Sequence, residues 1–165
     1  MPEKETLERA REDAEEGKAP STQAGEFVRE EIHHIREGKH GARSTKQAIA
    51  IGLSKARRAG VKLGTPKKGT ASARTRRQAA RDLAKGRKGA ARPSARRSRA
   101  MLQKLKGEGR AAATPRALAR QARQSARRRT AADRSASARR AARTKGPSVR
   151  SAAARKAART RARRG

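Results

Sequence analysis

The chain has no cysteine, no tryptophan and no tyrosine, and a single phenylalanine in 165 residues. Without thiols, neither a disulfide framework nor a thiolate metal site can hold it together, and redox chemistry leaves its compartment open. Large apolar side chains are also scarce. Leu, Ile, Val, Phe and Met number 17, and alanine supplies 37 of the 54 residues that count as hydrophobic. Leu, Ile, Val and Phe make up 15 of 165 residues, well under the share of about 20% below which a highly charged chain is expected to lack a core. Ordering the backbone costs about 1–2 kcal/mol per residue, so this supply of apolar surface offsets ordering over a short segment only. No run approaches the roughly 18 apolar residues of a membrane span. The N-terminal stretch MPEKETLERAREDAEEG carries acids in place of the apolar centre of a signal peptide, so the expected location is the cytoplasm.

Acidic residues are the last shortage. There are 14 against 47 Lys and Arg, a formal net charge of +33. They are also unevenly placed: residues 1–41 hold eleven acids and seven bases, a net of −4, whereas residues 42–165 hold Asp82, Glu108 and Asp133 against 40 bases, a net of +37. Charge thus makes the chain an acidic head on a basic tail, and periodicity and composition divide it further into an acidic helix and linker (1–24), a hairpin (25–64) and an Ala/Arg/Lys-rich tail (65–165).

Periodicity locates the elements. A first helix is expected from Pro2 to Glu16, with Leu7, Ala10 and Ala14 on one side, followed by a linker from Gly17 to Gly25. In EFVREEIHHIREG, Val28, Ile32 and Ile35 recur at helical spacing with Phe27 beside them, and Gly38-Lys39-His40-Gly41 reads as a turn. Ser44-Thr45-Lys46-Gln47 fits a capping box, and the helix it opens carries Ile49, Leu53 and Ala56 on one stripe before stopping at Gly60. Two stripes joined by a glycine turn call for an αα-hairpin. The expected fold class is thus all-α: a short helical hairpin plus a long, largely disordered cationic tail with helix-forming segments. Its hairpin is small enough that completing the core calls for either a homo-oligomer through this unit or a partner.

The tail is low in complexity but has helix punctuation. Ser72, Ser94, Thr114-Pro115 and Pro147-Ser148 are potential starts, with the third segment expected to run toward Gly146. Ala and Arg favour helix, whereas like charges three and four residues apart oppose it by a few tenths of a kcal/mol per pair. Phosphates would relieve that repulsion. Arg116, Arg120, Arg123, Arg127 and Arg134 fall on one helical stripe with alanines between them. Each phosphate neutralised on duplex DNA releases counterions, so affinity depends steeply on salt.

The expected DNA-binding residues are Lys46, Lys55, Arg57, Arg58, Lys67, Lys68, Arg76, Arg77, Arg96, Arg97, Arg116, Arg120, Arg123, Arg127, Arg134, Arg139, Arg140, Arg143, Arg155 and Arg159. No helix presents Asn, Gln and Arg in a recognition pattern, so contact is expected with phosphates and not with base edges. The lack of Tyr and Trp disfavours single strands, whose bases stack on aromatic rings, and leaves double-stranded DNA as the expected partner with structured RNA as the alternative.

Catalytic signatures are missing. There is no Ser-His-Asp or Cys-His set and no phosphate-binding glycine loop, so no enzyme and no cofactor are expected. Glu30-x-x-His33 and Glu31-x-x-His34 have the spacing of a carboxylate-bridged metal motif, but such a site requires a second copy and further carboxylates that the sequence lacks. The expectation is accordingly no metal, and histidines facing solvent beside glutamates one turn away.

The stretch from about Glu26 to Leu63, chiefly KQAIAIGLSKARRAGVKL (Lys46–Leu63) preceded by a Gly-Lys turn, resembles a family of small basic bacterial proteins labelled uncharacterised, DNA-binding or plasmid-stabilisation proteins. That resemblance covers about a quarter of the chain and implies a bacterial origin and a DNA-associated role. The Ala/Arg/Lys-rich tail is similar in composition to the linker-histone-like proteins of bacteria, and Thr65-Pro66-Lys67-Lys68 resembles the S/T-P-K-K turn of linker-histone tails. An acidic first helix departs from a purely basic histone-like pattern. The resulting expectation is a nucleoid-associated, histone-like protein that binds duplex DNA non-specifically and bridges or condenses it; the alternative is a ribosome- or RNA-associated factor with a basic extension.

Overall fold

In the computed structural model, residues 2–89 and 94–163 are described. They form α1 (Lys4–Glu15), α2 (Pro20–Arg36), α3 (Thr45–Arg58), α4 (Ala73–Arg87), α5 (Ala95–Lys106), a 3-10 turn (Ala111–Ala113), α6 (Pro115–Arg127) and α7 (Ala131–Ala162). Two compact units divide the chain, Met1–Arg123 and Gln124–Gly165.

The expected hairpin is the centre of the first unit, where α2 and α3 pack along each other. Gly52 permits the close approach: a Cβ there would lie 2.7 Å from the Val28 Cα, so the two backbones meet where any side chain would wedge them apart. Local signals set the ends of α3. Ser44 Oγ accepts from the Gln47 N–H at 3.2 Å, while the Gln47 side chain accepts from Arg43 N–H, one residue before the cap. Gly60, at φ 96°, closes the helix in the left-handed region with Val61 following. The linker is shorter than expected. Pro20 occupies the first turn of α2 and starts the helix before Gly25, because its fixed φ and missing N–H suit that position.

Two apolar clusters form the core. In one, Phe27 (1% exposed) and Ala24 of α2 meet Ala10 of α1 and Ala56 of α3, with Leu7, Leu53, Val61 and Leu63 around them. The other joins Ile32 and Ile35 to Ala42, Ala48, Ala112 and Ala113, flanked by Val28 and Leu118. The acidic helix α1 is therefore part of the fold: Leu7 and Ala10 dock on α2, and Arg9 Nε binds Glu26 Oε2 at 2.7 Å.

The expectation of a long, largely disordered tail is overturned. Four α-helices and the 3-10 turn occupy the described part of residues 65–165, and part of this segment packs on the hairpin. Three physical terms outweigh the charge repulsion. Ala and Arg carry strong helix propensity. Caps begin the helices: Ser72 Oγ accepts from Thr75 N–H, and Thr130 and Asp133 form a reciprocal capping box at the start of α7.

Docking supplies the third term. Asp82 of α4, 1% exposed, accepts from Arg58 Nε at 2.8 Å and Ser54 Oγ at 2.7 Å, which fixes α4 on α3. Farther along, Arg36 Nε donates to the Ala113 carbonyl and Thr45 Oγ1 to the Ala112 carbonyl, while Gly41 and Ala42 N–H groups donate to Leu105 and Gly109. Alanines bury here because their backbone is brought close enough to be bonded.

The segment expected to run unbroken from Thr114 toward Gly146 is two helices. α6 ends at Arg127 and α7 starts anew behind the Thr130 cap. Within α7, Gly146 leaves the helical region (φ 66°, ψ 171°) just before Pro147, so the last helical segment begins where the proline suggested. Among the described residues, no helix is long and apolar enough to cross a membrane.

Candidate nucleic-acid interface

The fold sorts the expected DNA-binding residues into two groups. Lys55, Arg57 and Arg58 of α3 are engaged within the first unit. Lys55 Nζ lies 2.9 Å from Glu30 Oε1 and 2.8 Å from Glu31 Oε2. Burial alone would lower its pKa, but the two carboxylates outweigh that and hold the ammonium above its ordinary range. Glu30 answers in the opposite sense: burial pushes its carboxyl up, and hydrogen bonds from Lys55 and from Glu3 N–H more than reverse this, leaving it below the usual carboxylate range.

Arg57 is buried and donates to the carbonyls of Leu63 and Gly64, tying the chain after Gly60 back to α3. Burial lowers its pKa, with Asp82 acting in opposition. Arg58 is spent on Asp82. Arg76 is half-buried on α4, its Nε enclosed without a hydrogen bond.

The second group faces solvent. Lys46 is exposed in the first turn of α3, Arg77 on α4, and Arg96 and Arg97 in the first turn of α5. Lys67 and Lys68 are exposed on a reverse turn in which Thr70 N–H and Oγ1 both bond the Lys67 carbonyl and Gly69 takes φ 86°. The Thr65-Pro66-Lys67-Lys68 sequence thus leads into a tight turn that carries both lysines.

Arg116, Arg120, Arg123 and Arg127 project along α6, opposite buried Ala117 and half-buried Leu118. They offer a guanidinium about once per helical turn, every ~5–6 Å. Arg134 does not extend this stripe, since the break at Arg128–Thr130 places it on α7, where it donates to the Arg129 carbonyl. Arg139, Arg140 and Arg143 are exposed before Gly146, and Arg155 and Arg159 after it. No carboxylate among the described residues pairs with these five.

The acids of the basic segment have structural assignments: Asp82 locks α4, and Asp133 caps α7. The acids of α1 and α2 are partly committed as well. Glu3 contacts His34 Nε2 at 2.8 Å and Lys39 Nζ at 3.2 Å, and these two partners hold its carboxyl below the ordinary range.

The histidines differ from the expectation of solvent-facing side chains. His33 is exposed, but His34 and His40 retain only 13% and 10% side-chain exposure and gather on buried Glu31. The sequence spacing showed Glu31 and His34 together; it gave no sign that the glycine turn would return His40 to them.

Residues 18–69 match a family of unknown function (DUF6496). The match spans α2, α3 and the lysine turn, including KQAIAIGLSKARRAGVKL. No curated protein and no solved structure matches the chain.

Proposed function

We propose that this protein binds duplex DNA through its phosphates, without sequence preference, and bridges or condenses it as a histone-like component of a bacterial nucleoid. One observation carries the reading: past residue 41 three acids face 40 bases, and the two acids with resolved roles there are consumed inside the fold. The arginines of α6 and α7 consequently present uncompensated charge, whose self-repulsion is relieved by a polyanion. Guanidinium groups fork onto phosphate oxygens, and an alanine-spaced helix brings them close to a backbone without steric cost. Phe27, the only aromatic ring besides the histidines, is buried in the core, so base stacking on Phe, Tyr or Trp contributes nothing.

In this arrangement the first unit supplies a folded anchor and the exposed cations supply affinity. Counterion release governs binding strength, with log K falling by about 0.9 per phosphate contact per decade of salt. The direct test is competition between duplex DNA and a structured RNA for the full chain across a salt titration. Duplex DNA is expected to compete at least as well as RNA throughout, with little discrimination among DNA sequences. A strong preference for RNA at every salt concentration would replace this reading with an RNA-associated one.

A further inference from the structure

Glu31, His34 and His40 come from the last turns of α2 and the turn that follows it, and one donor atom from each lies within 4.8 Å of the other two. We propose that these three side chains form a binding site for a divalent transition-metal ion, Zn2+ in the first instance, that fastens the hairpin turn to α2. This inference is independent of how the protein binds DNA.

Three observations converge on it. Glu31 is fully buried, and neither of its carboxylate oxygens accepts a hydrogen bond. Lys55 Nζ sits 2.8 Å from Oε2, while Oε1 faces His40 Nε2 at 3.3 Å. The Lys55 ammonium compensates the Oε2 side, and Oε1 is left for a cation on the histidine side.

The second observation is the tautomer of His40. Its Nδ1 lies 3.1 Å from the Gly41 carbonyl, an acceptor, so Nδ1 carries the proton and Nε2 presents a lone pair. That lone pair lies 3.3 Å from Glu31 Oε1. Two acceptors at this distance require something positive between them, a metal ion or a second proton. A tetrahedral Zn2+ with bonds of about 2.0–2.1 Å separates its ligand atoms by roughly 3.3 Å, so the spacing suits the metal.

The third is the surrounding shell. Glu3 Oε1 holds His34 Nε2 at 2.8 Å, the carboxylate–histidine pairing that orients a metal-bound ring and raises its basicity, so a metal on this ring would take the other nitrogen. Two imidazoles and one carboxylate, with water as fourth ligand, are a donor set that Zn2+ accepts. The metal would join α2 to the turn whose Gly41 and Ala42 amides already bond Leu105 and Gly109.

The experiment titrates the metal-free full chain with Zn2+ by calorimetry at neutral pH and records the visible spectrum with Co2+. The expected result is saturable 1:1 binding, a tetrahedral Co2+ absorption band and a rise in thermal midpoint. His40→Gln should abolish the stoichiometric event, Glu3→Gln should weaken it about 10–100-fold, and His33→Gln, outside the trio, should leave it unchanged. Circular dichroism of the metal-free variants checks that each is folded; should His40→Gln unfold, the Co2+ spectrum of the unaltered chain still decides. Absence of 1:1 binding, or equal loss with His33→Gln, would overturn the site. So would a His40 proton titration by NMR that Zn2+ does not alter, since a proton would then fill the gap.

Discussion

Lys55 and Arg57 of α3 and Arg155 and Arg159 of α7 have the same charge and similar alanine-rich neighbours, yet their circumstances are opposite. The first two are enclosed by carboxylates and carbonyls; the second two are exposed, with no ion pair to an acid among the described residues. The deciding difference is what else the local sequence supplies. Around α3 lie Glu30, Glu31 and Asp82 together with Phe27, Ile32 and Ile35, enough to desolvate a cation and compensate it. Residues 131–163 contain one acid, Asp133, and one large apolar residue, Val149, which is itself 53% exposed. A cation in the first setting contributes to stability, and one in the second is available to an external anion.

Substitutions that destabilise the first unit should break this contrast from one side. The largest loss is expected for Ile35→Asp, because Ile35 of α2 is fully buried in the cluster it forms with Ala42, Ala48 of α3, and Ala112 and Ala113 of the 3-10 turn. An unpaired carboxylate there should exceed the margin of a small core, by more than about 3 kcal/mol, and remove the cooperative thermal transition of the full chain. Asp82→Ala follows. It deprives Ser54, Gln78 and Arg58 of their common acceptor, and with Arg58 half exposed the cost should be about 2–3 kcal/mol. Hydrogen exchange should then quicken selectively in α4. Gly52→Ala should cost about 1–3 kcal/mol by forcing α2 and α3 apart, read as a shift in denaturant midpoint.

Acidity tests the same unit without substitution. Glu30 is held below its ordinary 4.5, so its contribution is complete above that value and is lost as pH falls through the lower folded pKa. Lys55 is held above 10.5, so its contribution is complete below that value and is lost as pH rises through the higher folded pKa. Thermal stability should therefore be flat between these limits and fall outside them. A midpoint that declines steadily from neutral pH toward pH 5 would assign the dependence to other groups, the histidines first. The smallest expected effect is Thr130→Ala, which removes the α7 cap for about 1 kcal/mol of helix stability and should appear as fraying at Ala131–Arg134 while the first unit melts unchanged.

The hairpin was legible because its signals are local: apolar stripes in α2 and α3, Ser44 at one end and Gly60 at the other. The early start of α2 was legible too, in Pro20, but the surrounding Ser, Thr, Gln and Gly read as a linker. What the composition hid was the docking of the basic segment. Counting large apolar residues undervalued the buried alanines Ala79, Ala112, Ala113 and Ala117; the carbonyls of Ala113 and Ala112 accept from Arg36 and Thr45, which holds that turn against α2 and α3. Such bonds link residues 67 or 77 positions apart and leave no periodic trace. For the same reason Lys55, Arg57 and Arg58 looked equivalent to the arginines of α7. The scarce acids were the better guide, since Asp82 and Asp133 each mark a place where the chain is fixed.

The central claim is that exposed arginines act on phosphates while buried cations act on the fold, and the salt dependence of duplex binding tests it most directly. The unaltered chain would be compared with a variant carrying Arg→Gln at 139, 140, 143, 155 and 159, which keeps helix propensity, and with Arg57→Gln. If all five arginines contact phosphates, the slope of log K against log salt should flatten by about 4–5 in the fivefold variant, at ~0.9 per contact, with the thermal transition of the first unit unmoved. Arg57→Gln should do the reverse, lowering the midpoint and leaving the slope intact. An unchanged slope in the fivefold variant, or a flattened one in Arg57→Gln, would contradict the division.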